Sequence, residues 1–272
     1  GGILGVSEYS TSYGVSNWVI FGLPYYVFGI AFAFLVAKRA RKLRVNSLPE
    51  ILVNDYGIFA GQIASIWILL LASPAPYILT LGLILNYFFG WNLILSIIGG
   101  TLFSYIYIYR GGFRSVVKTD KLQFLFMFVG FFIMLIVLSF KYMDPISLWQ
   151  ATPPSHKSFT GGQSFGYIVV WFFIGSWTLV DPGFHQRVYA TTSPQVAKRG
   201  ILWAVLFWFV FDFMTTLTGL YAFSYLPPET IPSQAFLELG QSILPVGLRG
   251  LFFVGILATV MSTLDSNALI SG

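Results

Sequence analysis

The segment GLFFVGILATVMSTLDSNALISG, residues 250–272, is apolar enough to cross a bilayer, yet it carries Thr259, Ser262, Thr263, Asp265 and Ser266 near its middle. On a helix of about 3.6 residues per turn, Thr259, Ser262, Thr263 and Ser266 stand at i, i+3, i+4 and i+7, a stripe about 100° wide. Hydroxyl oxygens are hard donors, and hydrocarbon offers them nothing to bind. Such a face must meet another helix, a water-filled cavity or a cation that takes oxygen ligands. The plainest alternative is that the hydroxyls bond back to carbonyls one turn earlier or pack helix to helix, as Ser and Thr do in membranes. That explains one or two of them; a whole stripe with Asp265 beside it asks for more.

Three other carboxylates occupy positions where a charge needs a reason. Asp212 lies in the middle of an apolar run, where insertion costs roughly 2.5–3.5 kcal/mol. Asp212, Thr215, Thr216 and Gly219 share one helical face, which is expected to look into a bundle as a tie between helices or as part of an ion path. Asp181 is followed by Pro182, which disfavours helical geometry at Asp181 and predicts a break or kink there. Arg187 and His185 are close enough in sequence to form a salt bridge with it. Asp120 ends a polar run in GGFRSVVKTDKLQ; it either guards a cation path, or caps its helix and pairs with Arg114, Lys118 or Lys121 at the interface. His185 has no second histidine placed to share a metal.

The elements that must position these residues are membrane spans. The chain is 56% hydrophobic and only 9% charged, against about 25% charged in a soluble domain, and its mean hydropathy is +0.77. Together with long apolar runs, this composition reads as an all-α polytopic membrane protein. The sequence has no cysteine, so a disulfide framework and thiolate chemistry are excluded. No signal peptide is visible. The chain opens on Gly1 without a methionine and stops inside an apolar segment, the expected form of an internal fragment.

Residues 1–16 read as the tail of a helix and a short loop. Complete spans are expected over about 17–37, 58–87, 93–109, 119–140, 165–181, 201–225 and 250–272. The span 58–87 contains Ser73-Pro74-Ala75-Pro76, where two missing backbone donors predict a break. Ser47-Leu-Pro-Glu50 has the form of a helix start, and 233–244 that of a short amphipathic helix. In alternate loops, one side collects Lys38, Arg39, Arg41, Lys42, Arg44, Arg110, Arg114, Lys118, Lys121, Arg187, Lys198 and Arg199, and the other only Lys141, Lys157 and Arg249. Twelve against three makes the first side cytoplasmic. The net charge of +5 therefore reports topology, and nucleic acid is not an expected partner.

Three motifs, GGFRSVVKTDKLQ (111–123), DPGFHQRVYATTSPQVAKRG (181–200) and LATVMSTLDSNALISG (257–272), together resemble the sodium/solute symporter family, relatives of the sodium–glucose and sodium–proline transporters. SLPEIL (47–52) is similar to that family's start of the next core helix. The likeness runs over the whole chain in order. It implies an inverted-repeat transporter fold of five plus five core helices, with sodium and solute near the midplane. Residues 1–272 then form a single transmembrane domain from the end of core helix 1 through core helix 8, truncated at both ends. The resemblance implies Na⁺ held by the Ser262 and Thr263 hydroxyls and the Thr259 carbonyl, with further carbonyls from core helix 1 upstream of Gly1, so that only half of the ion site falls within 1–272. It puts Asp120 near the sodium exit route and Trp177, with Ser176 beside it, against the solute. Asp181 followed by Pro182 departs from the polar residues of sugar-carrying relatives, so a sugar is not implied.

The function implied is sodium-coupled symport of a small organic solute by alternating access, in a multi-pass protein of the cytoplasmic membrane and not an enzyme. The alternative within the same resemblance is a transporter-like sensor module joined to a signalling domain. An integral-membrane enzyme is disfavoured, because no nucleophile–base pair or histidine cluster stands among the spans.

Overall fold

The fold is that of a computed structural model that describes residues 2–43, 45 and 47–271, and of residues 107–111 the backbone only. Arg44 and the side chain of Arg110, two of the twelve cations that orient the chain, lie outside the described residues, as do Gly1 and Gly272. The described residues form helices joined by turns and short loops, with no strand among them.

The helices are α1 (Gly2–Tyr13), α2 (Trp18–Lys42), α3 (Leu48–Tyr56), α4 (Ile58–Leu71), α5 (Ala75–Phe89), α6 (Leu93–Lys141), α7 (Pro145–Ala151), α8 (Pro154–Lys157), α9 (Phe165–Ile174), α10 (Pro182–Tyr189), α11 (Pro194–Tyr225), α12 (Ala235–Ile243) and α13 (Val246–Ser271). Six stretches are long and apolar enough to cross a membrane: Trp18–Lys42, Ile58–Phe89, Gly112–Lys141, Phe165–Tyr189, Pro194–Tyr225 and Val246–Ser271. A shorter apolar helix covers Leu93–Ile106. These are the expected spans, with three differences at their ends.

First, α2 runs on through the basic run to Lys42, since Lys, Arg and Ala are good helix formers and the charges sit on its last turns. It also contains two π-helical stretches, Trp18–Gly22 and Phe32–Val36. Second, no loop separates the spans expected at 93–109 and 119–140. They follow one another within α6, interrupted only at Gly112, whose φ of 52° and ψ of −151° no side-chain-bearing residue adopts cheaply. Third, the span from Phe165 leaves α-geometry early, passing through a 3₁₀ stretch at Gly175–Leu179 before Asp181 starts α10. The break at Ser73–Pro74 is found as expected, between α4 and α5. Ser47 stands at the head of α3 without a side-chain cap bond.

The described residues pack as two units, one made of Gly1–Trp18, Pro74–Gly162 and Phe213–Leu269, the other of Val19–Ser73, Gln163–Asp212 and Ile270–Gly272. In the first, Phe131 on α6 is fully buried and meets Phe236 of α12 and Phe252 of α13 edge-on, at 5.6 and 5.1 Å. Polar ties are few and specific. Ser7 donates to the Pro232 carbonyl and accepts from the Phe236 amide, and Tyr142 donates to the Ser224 carbonyl. In the second unit, α2 and α11 run antiparallel. Tyr25 stacks near Trp208, Gly29 abuts Val205, the Lys198 ammonium covers Phe34, and Arg41 donates to the Thr191 carbonyl. A Cβ on Gly29 would stand 2.7 Å from Val205 Cγ2, so the two helices approach closely there.

Candidate functional site

The hydroxyl stripe of α13 meets α6 because glycines let the two backbones approach. A Cβ on Gly255 would lie 2.8 Å from the Phe126 carbonyl oxygen, and one on Gly130 would lie 3.3 Å from Phe252 Cα. With 130 beside 252 and 126 beside 255, the antiparallel register carries Asp120 to Ser262. The Ser262 hydroxyl donates to Asp120 Oδ1 at 3.1 Å. Both residues are half-buried.

The rest of the stripe is turned onto its own helix. Thr263 donates to the Thr259 carbonyl at 3.3 Å, Thr259 to the Ile256 carbonyl at 2.6 Å, and Ser266 to the Ser262 carbonyl at 2.9 Å. Back-bonding thus accounts for three of the four hydroxyls, more than the one or two foreseen. It does not exhaust them, because a hydroxyl that donates its proton keeps lone pairs for a cation. Thr263 and the Thr259 carbonyl are joined by one such bond, which keeps the two oxygens side by side.

A second carboxylate lies one turn beyond Ser262. Asp265 is fully buried and accepts from Gln123 Nε2 at 3.3 Å. Gln123 Oε1 is itself buried with no hydrogen-bond partner among the described residues. The group of oxygens on facing turns of α6 and α13 therefore comprises carboxylate, hydroxyl, carbonyl and amide, with one acceptor unmatched. That donor set suits a small, hard cation. Asp120 is not a helix cap, since it stands inside the Gly112–Lys141 stretch. The sequence reading omitted Gln123, although it sits three residues after Asp120 on the same helical face and within the same motif.

In the other unit, Asp181 is the N-cap of α10, accepting from the Phe184 amide through Oδ1 at 2.9 Å. Its Oδ2 accepts from the Trp177 indole N–H at 3.1 Å. This is the cap geometry that Asp-Pro encodes, with the Trp177 indole as a further partner that the sequence reading did not foresee. The 3₁₀ stretch that carries Ser176 and Trp177 begins at Gly175, which lies against Pro24; a Cβ there would come within 2.6 Å of Pro24 Cβ. Ser176 and Trp177 are both half-buried. His185 is buried, its Nε2 donating to the Leu179 carbonyl at 3.0 Å and its Nδ1 paired with the Tyr189 hydroxyl. Both ring nitrogens are occupied, so His185 serves packing. Asp212 accepts from the Tyr26 hydroxyl at 2.6 Å.

A family model described as Sodium:solute symporter family matches residues 1–272. Among curated proteins, the chain is 27% identical over 220 residues to a sodium/glucose cotransporter of Vibrio parahaemolyticus, covering 68% of this chain and 40% of the relative. It is 25% identical over 302 residues to the high-affinity proline transporter PutP of Bacillus subtilis (strain 168), covering 94% and 61%. It is 26% identical over 176 residues to a sodium/pantothenate symporter of Haemophilus influenzae, covering 60% and 35%. The fold matches a solved structure of a Na⁺-coupled sialic acid symporter in a substrate-bound outward-open state, with a TM-score of 0.78 at 20% identity over 97% of this chain and 62% of that one. At that identity the likeness speaks for a transporter fold alone. The chain spans between 35% and 61% of the length of these curated relatives.

Proposed function

The chain belongs to the sodium:solute symporter family, and on that premise we propose that the multi-pass membrane protein it represents couples the inward movement of Na⁺ to uptake of a small organic solute. The relatives are named for glucose, proline and pantothenate, which supports the breadth of that solute class and selects no member. Residues 1–272 form one transmembrane domain, from the end of core helix 1 through core helix 8.

The observation that carries the reading is the approach of Ser262 to Asp120, beside the paired Thr263 hydroxyl and Thr259 carbonyl. In this reading Na⁺ replaces the proton contacts of these oxygens with ion contacts. Ser262 and Thr263 turn their lone pairs to the ion, and the Thr259 carbonyl completes this side of the shell. Asp120 supplies charge compensation and accepts the ion along its way toward the cytoplasm. Trp177, pinned by Asp181, and Ser176 face the solute. Sodium binding favours the outward-open state, and release toward the cytoplasm completes alternating access.

The decisive experiment is uptake by the full-length protein as a function of sodium. Replacing Ser262 and Thr263 together by Ala is expected to raise sharply the sodium concentration needed for half-maximal uptake. An unchanged sodium dependence would sink the site.

A further inference from the structure

We propose that the cytoplasmic ends of α2 and α11 form a seat for one acidic phospholipid of the inner leaflet. The argument begins with the exposed face of α2. Leu23, Val27, Ile30 and Phe34 are all exposed and follow at intervals of four, three and four residues, one continuous apolar stripe. The eleven steps from Leu23 to Phe34 rise about 16 Å, against about 15 Å for one leaflet's half of the hydrocarbon core. The same face then changes character within one turn. Lys38 and Lys42, four and eight residues beyond Phe34, are exposed, as is Arg39.

The second wall is α11. Its antiparallel register brings Lys198 to Phe34, with the ammonium 3.7 Å from the ring centroid, and the exposed Arg199 follows. The Arg41–Thr191 bond closes the two helix ends together and removes Arg41 from the exposed set. The segments AKRARKLRV (37–45) and ATTSPQVAKRG (190–200) hold no carboxylate, so the cations have no counter-charge of their own there. An acyl chain along the stripe and a phosphate between Lys38, Lys42 and Lys198 satisfy both halves of this surface. The charge bias that orients the chain puts these ends at the cytoplasmic headgroups. Phe34 positions the Lys198 ammonium through a cation–π contact. An acidic lipid is preferred to a zwitterionic one because the two segments that form the seat carry cations and no anion to answer a headgroup cation.

The test is native mass spectrometry of the full-length protein released from bilayers of equal, acyl-matched phosphatidylglycerol and phosphatidylcholine. The unmodified protein should retain phosphatidylglycerol in preference. Replacing Lys38, Lys42 and Lys198 by Gln should lower that retention by roughly fivefold for each charge. Lys118→Gln with Lys121→Gln, which belong to the other unit, should leave it unchanged. Phe34→Ala removes no charge and no core contact, and it should reduce retention by loosening Lys198; this arm decides the matter if the triple variant does not fold. Equal retention of the two lipids, equal loss in the Lys118/Lys121 variant, or displacement by millimolar inorganic phosphate would overturn the seat.

Discussion

Two carboxylates within membrane-crossing helices, Asp212 and Asp120, each accept a hydrogen bond from a hydroxyl on another helix, and the two bonds differ in kind. Tyr26 is buried and donates to Asp212 at 2.6 Å, inside the range of charge-assisted O–H···O⁻ bonds. The pair is also walled in, since a Cβ on Gly22 would stand 2.5 Å from the Tyr26 hydroxyl and 3.3 Å from Asp212 Oδ2. Ser262 meets Asp120 at 3.1 Å, beyond the usual O–H···O range. The Thr263 hydroxyl beside it is 3.3 Å from its acceptor and Gln123 Oε1 is unmatched, while Thr259 and Ser266 bond closely to their own helix at 2.6 and 2.9 Å. A short, enclosed bond fixes two helices. Long bonds such as those of Ser262 and Thr263 leave hard oxygens with more to gain from a cation. The residue type does not distinguish a tie from an ion path; the partner and the space around it do.

The largest expected effect tests the loose side of this contrast. Each hydroxyl lost from a cation is comparable to a hydrogen bond with a charged group, roughly 1.5–3 kcal/mol, and about 1.4 kcal/mol is tenfold in affinity. Ser262→Ala with Thr263→Ala should therefore raise the half-saturating sodium concentration at least about tenfold, with protein in the membrane unchanged. Asp120→Asn is expected to act in the same direction but less, by about three- to tenfold. Asn keeps an acceptor for Ser262 while removing the charge, so a sodium curve matching the unmodified protein would reduce Asp120 to a hydrogen-bond acceptor.

The tight side predicts the reverse pattern. Tyr26→Phe, Asp212→Asn and their combination form a double-mutant cycle read by thermal unfolding in detergent. Coupling of about 0.6–1.7 kcal/mol is expected, the span found for hydrogen bonds between membrane helices, with half-saturating sodium unmoved. A sodium curve that shifts with Tyr26→Phe would break the contrast and put Asp212 on the ion path.

How much of this was legible follows from what each feature depends on. The spans were readable from apolar runs, and the break at Pro74 and the cap at Asp181 were readable from proline chemistry, because these are properties of a few adjacent residues. The stripe on 250–272 was readable from helical period alone. Its partners were not. That Ser262 faces Asp120 depends on the close approach at Gly130 and Gly255 of two segments more than a hundred residues apart, and no local pattern encodes that register. Family likeness supplied Asp120 where periodicity left it at the interface. The same holds for Tyr26, which in sequence is one aromatic among many, and for Gln123, polar but uncharged and thus without an insertion cost large enough to draw notice. The missing loop at 110–114 has a local cause: a single left-handed glycine, Gly112, reorients the helix without the polar loop that its neighbours Arg110 and Arg114 seemed to announce.

The smallest effect comes from a carboxylate outside the spans, which serves as the exposed reference for both. Asp144 is the N-cap of α7, its Oδ1 accepting from the Ile146 and Ser147 amides at 3.0 and 3.1 Å. Hydrogen bonds from Ser147, side chain first and then backbone, hold its carboxyl below the usual carboxylate range. A folded-state pKa that is lowered means the ionised form is favoured by folding. The stabilisation is present above the ordinary carboxylate pKa and disappears as pH falls through the lower folded value. Asn caps helices nearly as well as Asp, so Asp144→Asn removes the charge and keeps the cap. The unfolding temperature of the unmodified protein should exceed that of the Asn variant slightly at pH 7, and the gap should begin to narrow near the ordinary carboxylate pKa of about 4 and close as pH falls through the lower folded value. Sodium dependence should be the same in both, because this carboxylate, unlike Asp120, is exposed, lies outside the spans and caps its own helix. A gap that does not narrow at all as pH falls from 7 through the acid range would mean that the bonds to the two amides, and not the charge, set the difference.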